Sequence, residues 1–568
     1  MRDLKVLHFS RYCFFAILVF SACSDKNKEV PVSLSQKTQV LIDRASIPGI
    51  QLAYLDQSNE FMLNLGQGNK SDPATKIDDN TIFQVGNLVE PLIAGLSLKL
   101  WEEGKIEIDE PISFSFDQRL VGNTHFNALT FAHLLSHTAG IIDRKGDTLT
   151  VDFVPGSTFG PSEYDFVLAC ELLENQLDRP IHELLKQWIF DPLDMKNSYY
   201  DTSSVAKNLA VGHNAIEVPQ SLGNSRTKSI EYNLYTTARD YAKFLEALLL
   251  KDFLSSKAKS RMLTKTIAIQ DWDGTPTGLG WTLGWGYEQT ETGQILFQWN
   301  GDLAFKSLVV LNEAEQQILV CLTNGENGLS IQHDLLPLFF QRKFLFYPWL
   351  GYEKYDDPWI SSRIRLEKTF FFEDSITSAR NYAEILLEDS ALVDDNQMNN
   401  VVWSLFTQKA LVAATQLIQV HLYHHPASSQ GYTRLGEAYG FAHDYQSSWK
   451  AYQQAMEIDP STSREILPRF PWYQEAMTAI QTQESPRLFD DYLGEFGPII
   501  IEKRSEGLVY TDDENTDVAL VRLSNEVFDL DNLATFRLRF VFENGQLKGL
   551  VQSFLTGEER EYAKKGTI

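Results

Sequence analysis

The hydrophobic pattern of this chain changes its period twice, and those changes restrict the fold more than any single motif does. Between residues 35 and 345, short apolar runs of strand type are interspersed with stretches of helical spacing. Ile50–Tyr54, Ser307–Leu311 and Ile318–Leu322 read as strands. Leu92, Leu96, Leu100 and Trp101 recur at helical spacing behind Pro91, and Ala242, Leu245, Leu248 and Leu249 do so within Ala238–Leu250. Helices and strands mixed in one long segment predict a large α+β domain. The aromatic stretch Phe346–Asp357 reads as a connector packed on that domain. From 365 to 480 the spacing is helical throughout. From 486 to 568 the period is two. Phe536, Leu538, Phe540 and Phe542 alternate with Arg537, Arg539 and Val541. Asn544-Gly545 then supplies a two-residue hairpin turn and Leu547–Leu555 the return strand, which predicts a small antiparallel β-domain.

The length of 568 residues suits three or four such pieces at about 150 residues each. Acidic residues outnumber basic ones by 76 to 50, giving a net charge of −26. That balance argues against nucleic acid as a partner, because phosphate contacts need a basic footprint. A hydrophobic fraction of 43% with 12% aromatics excludes a chiefly disordered chain. Four cysteines in this length make no disulfide framework. Cys170 and Cys321 lie in apolar runs and read as buried inert thiols, with a bridge between them left open.

At the amino end, Arg2, Lys5 and Arg11 accompany the apolar run Phe14–Phe20, too short to span a bilayer and suited to a signal peptide. The run ends in Ser21-Ala22-Cys23 before the polar Ser24–Lys28. Small residues ahead of a cysteine resemble a bacterial lipobox. The resemblance implies a signal peptide over residues 1–23 with the lipid carried by Cys23. The chain would then be a cell-envelope lipoprotein, held to a membrane by that lipid and exposed outside the cytoplasm.

In the helical region, the 34 residues from Ser429 carry Tyr432, Leu435-Gly436, Tyr439, Tyr452, Ala455 and Pro460, a pattern that resembles a tetratricopeptide repeat. Gly436 would let two helices approach, and Pro460 would end the second. Pro426 and Ala414 stand 34 residues before Pro460 and Ser448, which marks a degraded earlier repeat. The resemblance implies a surface for a protein partner. The β-region, opened by Tyr492–Phe496, resembles in position and length the small β-domain that often follows serine hydrolases of the β-lactamase type.

A series of segments in residues 35–330 resembles the penicillin-binding, class C β-lactamase-like serine hydrolases. They run in order from Ile47-Pro48-Gly49-Ile50 through Phe83-Gln84-Val85-Gly86 and Asp109-Glu110-Pro111. Leu129–Ile141, with Ser136-His137-Thr138-Ala139-Gly140, is the most specific match. Pro155-Gly156-Ser157, Asp191-Pro192-Leu193 and Thr236-Thr237-Ala238-Arg239-Asp240 follow. The resemblance implies a β-lactamase/transpeptidase-like domain, an antiparallel sheet with helices, ahead of the helical and β regions.

Acyl transfer in that family needs three constellations in one cleft. The first is a serine opening a helix with a lysine three residues on. The second is a Tyr-x-Asn loop, and the third a Lys/His-x-Gly strand. In this chain Asn87 holds the serine position, and its amide is no acyl acceptor. Glu90 holds the lysine position, an anion where a cation is needed, though the first turn of a helix suits it. Pro161 replaces the tyrosine and Glu163 the asparagine. Trp299 replaces the cation or histidine, and Gly301 alone is kept.

These changes predict a catalytically inactive family member that acts in binding or assembly. Asn87, Glu90, Glu163 and Trp299 are expected to converge, either in a closed site or in a pocket for a cationic or sugar-like ligand. Two carboxylates could also serve as an acid and base pair if burial separated their proton affinities. The rival reading is a serine hydrolase with a displaced nucleophile, for which Ser136, Ser162 and Ser225 are the candidates. His133 and His137 stand four apart but lack the glutamate of a zinc-binding His-Glu-x-x-His, and nothing in the sequence calls for a metal or cofactor.

Overall fold

The computed structural model describes residues 32–112, 124–143, 149–200, 208–220, 234–271, 273–291, 293–301, 304–481, 486–504, 507–512, 517–530, 536–554 and 558–565. The segment expected to be a signal peptide, with Cys23, and Ser225 lie outside the described residues. Contacts divide the chain into two compact units that meet between Tyr352 and Glu353.

The first unit is built on an antiparallel eight-stranded sheet. Its strands are β1 (Gly49–Leu55), β2 (Glu60–Gly66), β3 (Ile267–Gln270), β4 (Pro276–Trp281), β5 (Gly286–Gln289), β6 (Gln294–Asn300), β7 (Lys306–Asn312) and β8 (Gln317–Thr323). The order is β2-β1-β8-β7-β6-β5-β4-β3, so the first and last strands in sequence pair with each other inside the sheet, one strand in from its β2 edge. Every residue of β1 and β7 is buried, as expected for strands covered on both faces. The covering helices include α1 (Val32–Arg44), beside β2, and α5 (Ala238–Leu250), across β1 and β8. Between them in sequence come α2 (Val89–Glu102), α3 (Phe131–Leu135) and α4 (Glu163–Leu177). Helix α2 is buried from Val89 through Leu98 and so lies inside the helical layer. Pro91 is tolerated there because first-turn N–H groups have no partner within a helix.

The aromatic connector does pack on this unit. Phe346 stacks on Phe297 with centroids 4.3 Å apart, and the backbone N–H groups of Leu345 and Phe346 donate to the buried Glu288 carboxylate at 2.8 and 3.2 Å. Cys170 and Cys321 are both buried and free, so no bridge joins them.

The second unit begins with helical hairpins. Pro358–Phe372 pairs with Ser375–Glu388, Asp395–Thr407 with Leu411–His424, and Ser429–Phe441 with Tyr445–Ile458. The last two hairpins repeat at a spacing of 34 residues, Asp395 to Ser429 and Leu411 to Tyr445. A side chain at Gly436 would strike the Tyr452 ring at 2.5 Å, so glycine sets how closely that hairpin closes.

Eight further strands follow as an antiparallel meander from Gly494–Phe496 to Glu559–Ala563, and a bridge between Phe496 and Lys564 brings its two ends together as a near-barrel. Its core is aromatic, with Tyr492, Phe496, Tyr510, Phe528 and Phe540 inside. The hairpin at Asn544-Gly545 forms as expected, both residues having positive φ (50° and 80°), as a type I′ turn requires. Arg537 departs from the expected alternation and is buried. Its guanidinium bonds Asp529 at 2.9 Å, and Glu475 and the Trp472 carbonyl at 3.0 Å each, which ties the near-barrel to the last helix (Phe470–Gln481).

Candidate functional site

The position that the sequence resemblance matches to the family's nucleophile, Asn87, is set by a tight turn. Gly86 has φ +52°, and any side chain there would collide with Asn300 at the end of β6. Asn87 follows in a single 3₁₀ turn, Gly86–Leu88, and Glu90 falls in the first turn of α2. The Tyr241 hydroxyl of α5 donates to the Leu88 carbonyl at 2.8 Å and pins the turn.

Two other elements bring partners to Glu90. Past the end of α3 the chain bends at His137, which has φ +52°. Its backbone carbonyl accepts from Gly160 N–H at 2.8 Å, which holds the loop before α4 against it. Helix α4 is capped by the Ser162 hydroxyl, which accepts from Tyr164 N–H, and it turns Asp165 inward.

The result is a buried polar chain. Gln298 Nε2 donates to Glu90 Oε2 at 2.7 Å, and His137 Nε2 lies 3.3 Å from the same oxygen. His137 Nδ1 lies 2.9 Å from Asp165 Oδ2. The Phe166 and Trp281 rings stand 5.3 and 5.5 Å from the imidazole and keep it dry. Burial alone would lower the proton affinity of His137, but Glu90 and the hydrogen bond to Asp165 outweigh it and push the imidazole up to about 10. Burial pushes Asp165 up to about 6, against the opposing hydrogen bond from His137. At neutral pH the centre is therefore an imidazolium whose two N–H groups face two carboxylates. Glu90 and Asp165 both sit in first turns of helices, where the helix dipole favours negative charge.

The expected convergence needs correction. Glu163 is exposed at the start of α4, and Asp165, two residues on, is the acid that reaches inward, because residues two apart lie on different sides of a helix. Trp299 is half-buried and does not join Glu90. Neighbours on a strand point to opposite faces, and it is Gln298 that turns to Glu90. Trp299 instead stacks with Phe297 at 6.2 Å and meets Trp349 edge-on at 5.8 Å. Gly301 lies beneath the Tyr352 hydroxyl, which leaves no room for a side chain, and Pro161 is exposed. Among the described residues, Asn87, Glu90, Glu163 and Trp299 make no hydrogen bond or ring contact with one another, and Glu90 is bonded instead to Gln298 and His137.

Two of the candidate replacement nucleophiles, Ser136 and Ser162, are engaged elsewhere. Ser136 is buried, with Oγ 2.7 Å from the Ala132 carbonyl and 2.9 Å from Thr138 Oγ1, and Ser162 is the α4 cap. Sequence reasoning missed three members of the centre. His137 belongs to the family-like segment Leu129–Ile141, and Asp165 lies two residues past Glu163. Gln298, a polar residue inside an otherwise apolar strand run, carried a signal that the position next to it obscured. Among the described residues, no group of three or more His, Cys, Asp or Glu side chains is placed so that it could hold a metal ion.

The fold defines a scaffold of the serine β-lactamase type. A family model described as Beta-lactamase matches residues 34–336. A β-lactamase of Pseudomonas fluorescens is 22% identical over 258 residues, which covers 43% of this chain and 71% of that protein. A D-alanyl-D-alanine-carboxypeptidase/endopeptidase of Escherichia coli K12 is 21% identical over 325 residues, 50% of this chain and 82% of that one. Among solved structures, a class C β-lactamase superposes with a TM-score of 0.47 at 17% identity, over 55% of this chain and 96% of its own. The chain belongs to the β-lactamase family.

Proposed function

We propose that this protein is a non-acylating member of the β-lactamase family, a lipid-anchored component of the bacterial cell envelope that works by binding or assembly. The observation that carries the reading is the state of Glu90. At the position where active relatives need a cation it presents a carboxylate, already bonded to Gln298 and His137. A group so engaged is not available to take a proton from a hydroxyl, and Asn87 offers no hydroxyl to activate. The phenol position is the exposed Pro161. Anchoring rests on the order of basic start, short apolar run and Ser21-Ala22-Cys23, and a role in assembly on the hairpins that recur every 34 residues.

The test is labelling of the full chain with a fluorescent penicillin and with a fluorophosphonate. Neither should attach covalently. A label mapped by mass spectrometry to any side chain lining the cleft overturns the reading. Anchoring is tested separately. Expressed in a bacterium with its leader, the protein should be found with membranes, and Cys23→Ala should release it. An unchanged distribution would remove the lipid from the account.

A further inference from the structure

Two arginines at the near-barrel, Arg487 just ahead of its first strand and Arg522 within it, form no ion pair with a carboxylate among the described residues. Arg522 ends the strand Val518–Arg522, and its guanidinium lies against three rings, 4.8 Å from the Phe489 centroid, 5.3 Å from Tyr492 and 5.4 Å from Phe528. Its Nε and Nη2 are both shut off from solvent and both without a hydrogen-bond partner. Those two nitrogens form the edge that grips an oxyanion with two parallel N–H bonds. Arg487 lies over Phe542 at 4.1 Å, and Phe542 in turn meets Tyr492 edge-on at 5.6 Å. Among the described residues no carboxylate pairs with either guanidinium. This is conspicuous in a chain of net charge −26, where 76 acidic residues compete for 50 basic ones. Both arginines favour ionisation of the Tyr492 hydroxyl, which places both within Coulomb range of it, together with Asp491 and Glu526 acting in the opposite sense. That hydroxyl is itself spent on the Asn525 carbonyl at 2.9 Å.

Stacking on aromatic rings accounts for the faces of the two guanidinium groups. It does not account for an enclosed N–H edge, since a buried donor without an acceptor costs about 1–3 kcal/mol, more when it is charged. We infer that Arg522 and Arg487 form a site for a small oxyanion, a phosphate or carboxylate carried on an apolar body. The in-plane edge of Arg522 takes two of its oxygens and Arg487 supplies the second charge. The exposed Leu488 and Phe489 beside them receive the apolar part.

The experiment is isothermal titration calorimetry of the full-length chain with phenyl phosphate, benzoate, inorganic phosphate and, as the neutral counterpart, benzyl alcohol. Saturable one-to-one binding of phenyl phosphate or benzoate is expected, with none for benzyl alcohol. Inorganic phosphate should bind at least ten-fold more weakly if the apolar body contributes, and equal binding would make free phosphate the ligand. Arg522→Gln and Arg487→Gln should each weaken binding at least ten-fold. Arg522→Lys keeps the charge and loses the two-pronged edge, so it should weaken binding by a similar factor while its circular dichroism stays that of the parent. A ligand-induced rise in melting temperature, present in the parent and lost in Arg522→Lys, serves as the second measurement. No saturable heat with any oxyanion, or binding undiminished in Arg522→Lys, overturns the proposal.

Discussion

Replacing His137 by leucine removes the cation that separates two buried carboxylates. The side chains of His137, Glu90 and Asp165 are 6, 7 and 0% exposed, so water cannot take over the missing role. Breaking a buried pair by deleting one partner costs about 3–5 kcal/mol, because the other charge is left uncompensated. The titration gives a second route to the magnitude. An imidazole raised from an ordinary 6.5 to about 10 stores at most roughly 4–5 kcal/mol at 1.36 kcal/mol per pH unit. The two agree, and about 4 kcal/mol is the expected loss for His137→Leu at pH 7. Such a loss would lower the melting temperature by about 8–16 °C at the scale for domains of 150–250 residues, and by less in a larger unit. The sign of the pH dependence follows from the same group. A histidine with a raised folded value contributes fully below about 6.5, and that contribution disappears as pH rises toward about 10. Asp165, raised to about 6, acts at lower pH, where it costs stability as pH climbs from about 4 to 6. Between pH 7 and 10 the parent should therefore lose stability while His137→Leu stays nearly flat. Urea unfolding followed by tryptophan fluorescence across that range is the assay, with Trp281 beside the imidazole as a local reporter. Adding Glu90→Gln to His137→Leu should recover part of the loss. A variant within 1 kcal/mol of the parent, or parent stability that rises toward pH 10, would refute the charged-cluster account.

Three other outcomes follow from the geometry. Gly86→Ala should destabilise by about 2 kcal/mol or more, because it combines a left-handed backbone with a clash at Asn300; thermal melting of the purified variant checks it. Arg537→Leu should cost about 3–5 kcal/mol by taking from the buried Asp529 carboxylate the guanidinium that faces it, seen as earlier unfolding in a limited-proteolysis time course that maps to the near-barrel. Burial raises the proton affinity of the Cys170 and Cys321 thiols, so neither should react with a thiol reagent at pH 8 in the native protein, and both should react in urea.

Features set by local chemistry were legible in the sequence, and features set by facing were not. The hairpin turn at Asn544-Gly545 needs two residues with positive φ, and those residues are cheap there. Helix α5 carries its own apolar stripe and its Thr237 cap, so Ala238–Leu250 stands as read. Gly436 against Tyr452 is similarly a matter of one pair within one hairpin. Arg537 shows where such reading stops. Alternation assigns it to the outer face, but Asp529 lies eight residues back and Glu475 sixty-two, and neither is visible from the strand's own pattern. The site departs in the same manner, by one residue at Trp299 and by two at Glu163. A template locates Glu163 and Trp299 by spacing, while the direction of each side chain depends on where its helix or strand sits against the others. That arrangement selects Asp165 and Gln298.

The centre also explains why its changes belong together. An ammonium at position 90 would meet the His137 imidazolium, and His137 could keep its charge only through Asp165. With glutamate at 90, the same imidazolium is bracketed by two acids and Gln298 closes the remaining edge. Each member is thus stabilised by the presence of the others, and in such a network single changes cost more than their own bonds. A return to acyl transfer would need a serine at 87, a lysine at 90, a phenol at 161 and a cation or histidine on β6. The step at 90, taken alone, would break the buried pair before any reactive group existed. On the proposed reading, the absence of acylation is therefore held in place by stability as well as by missing chemistry.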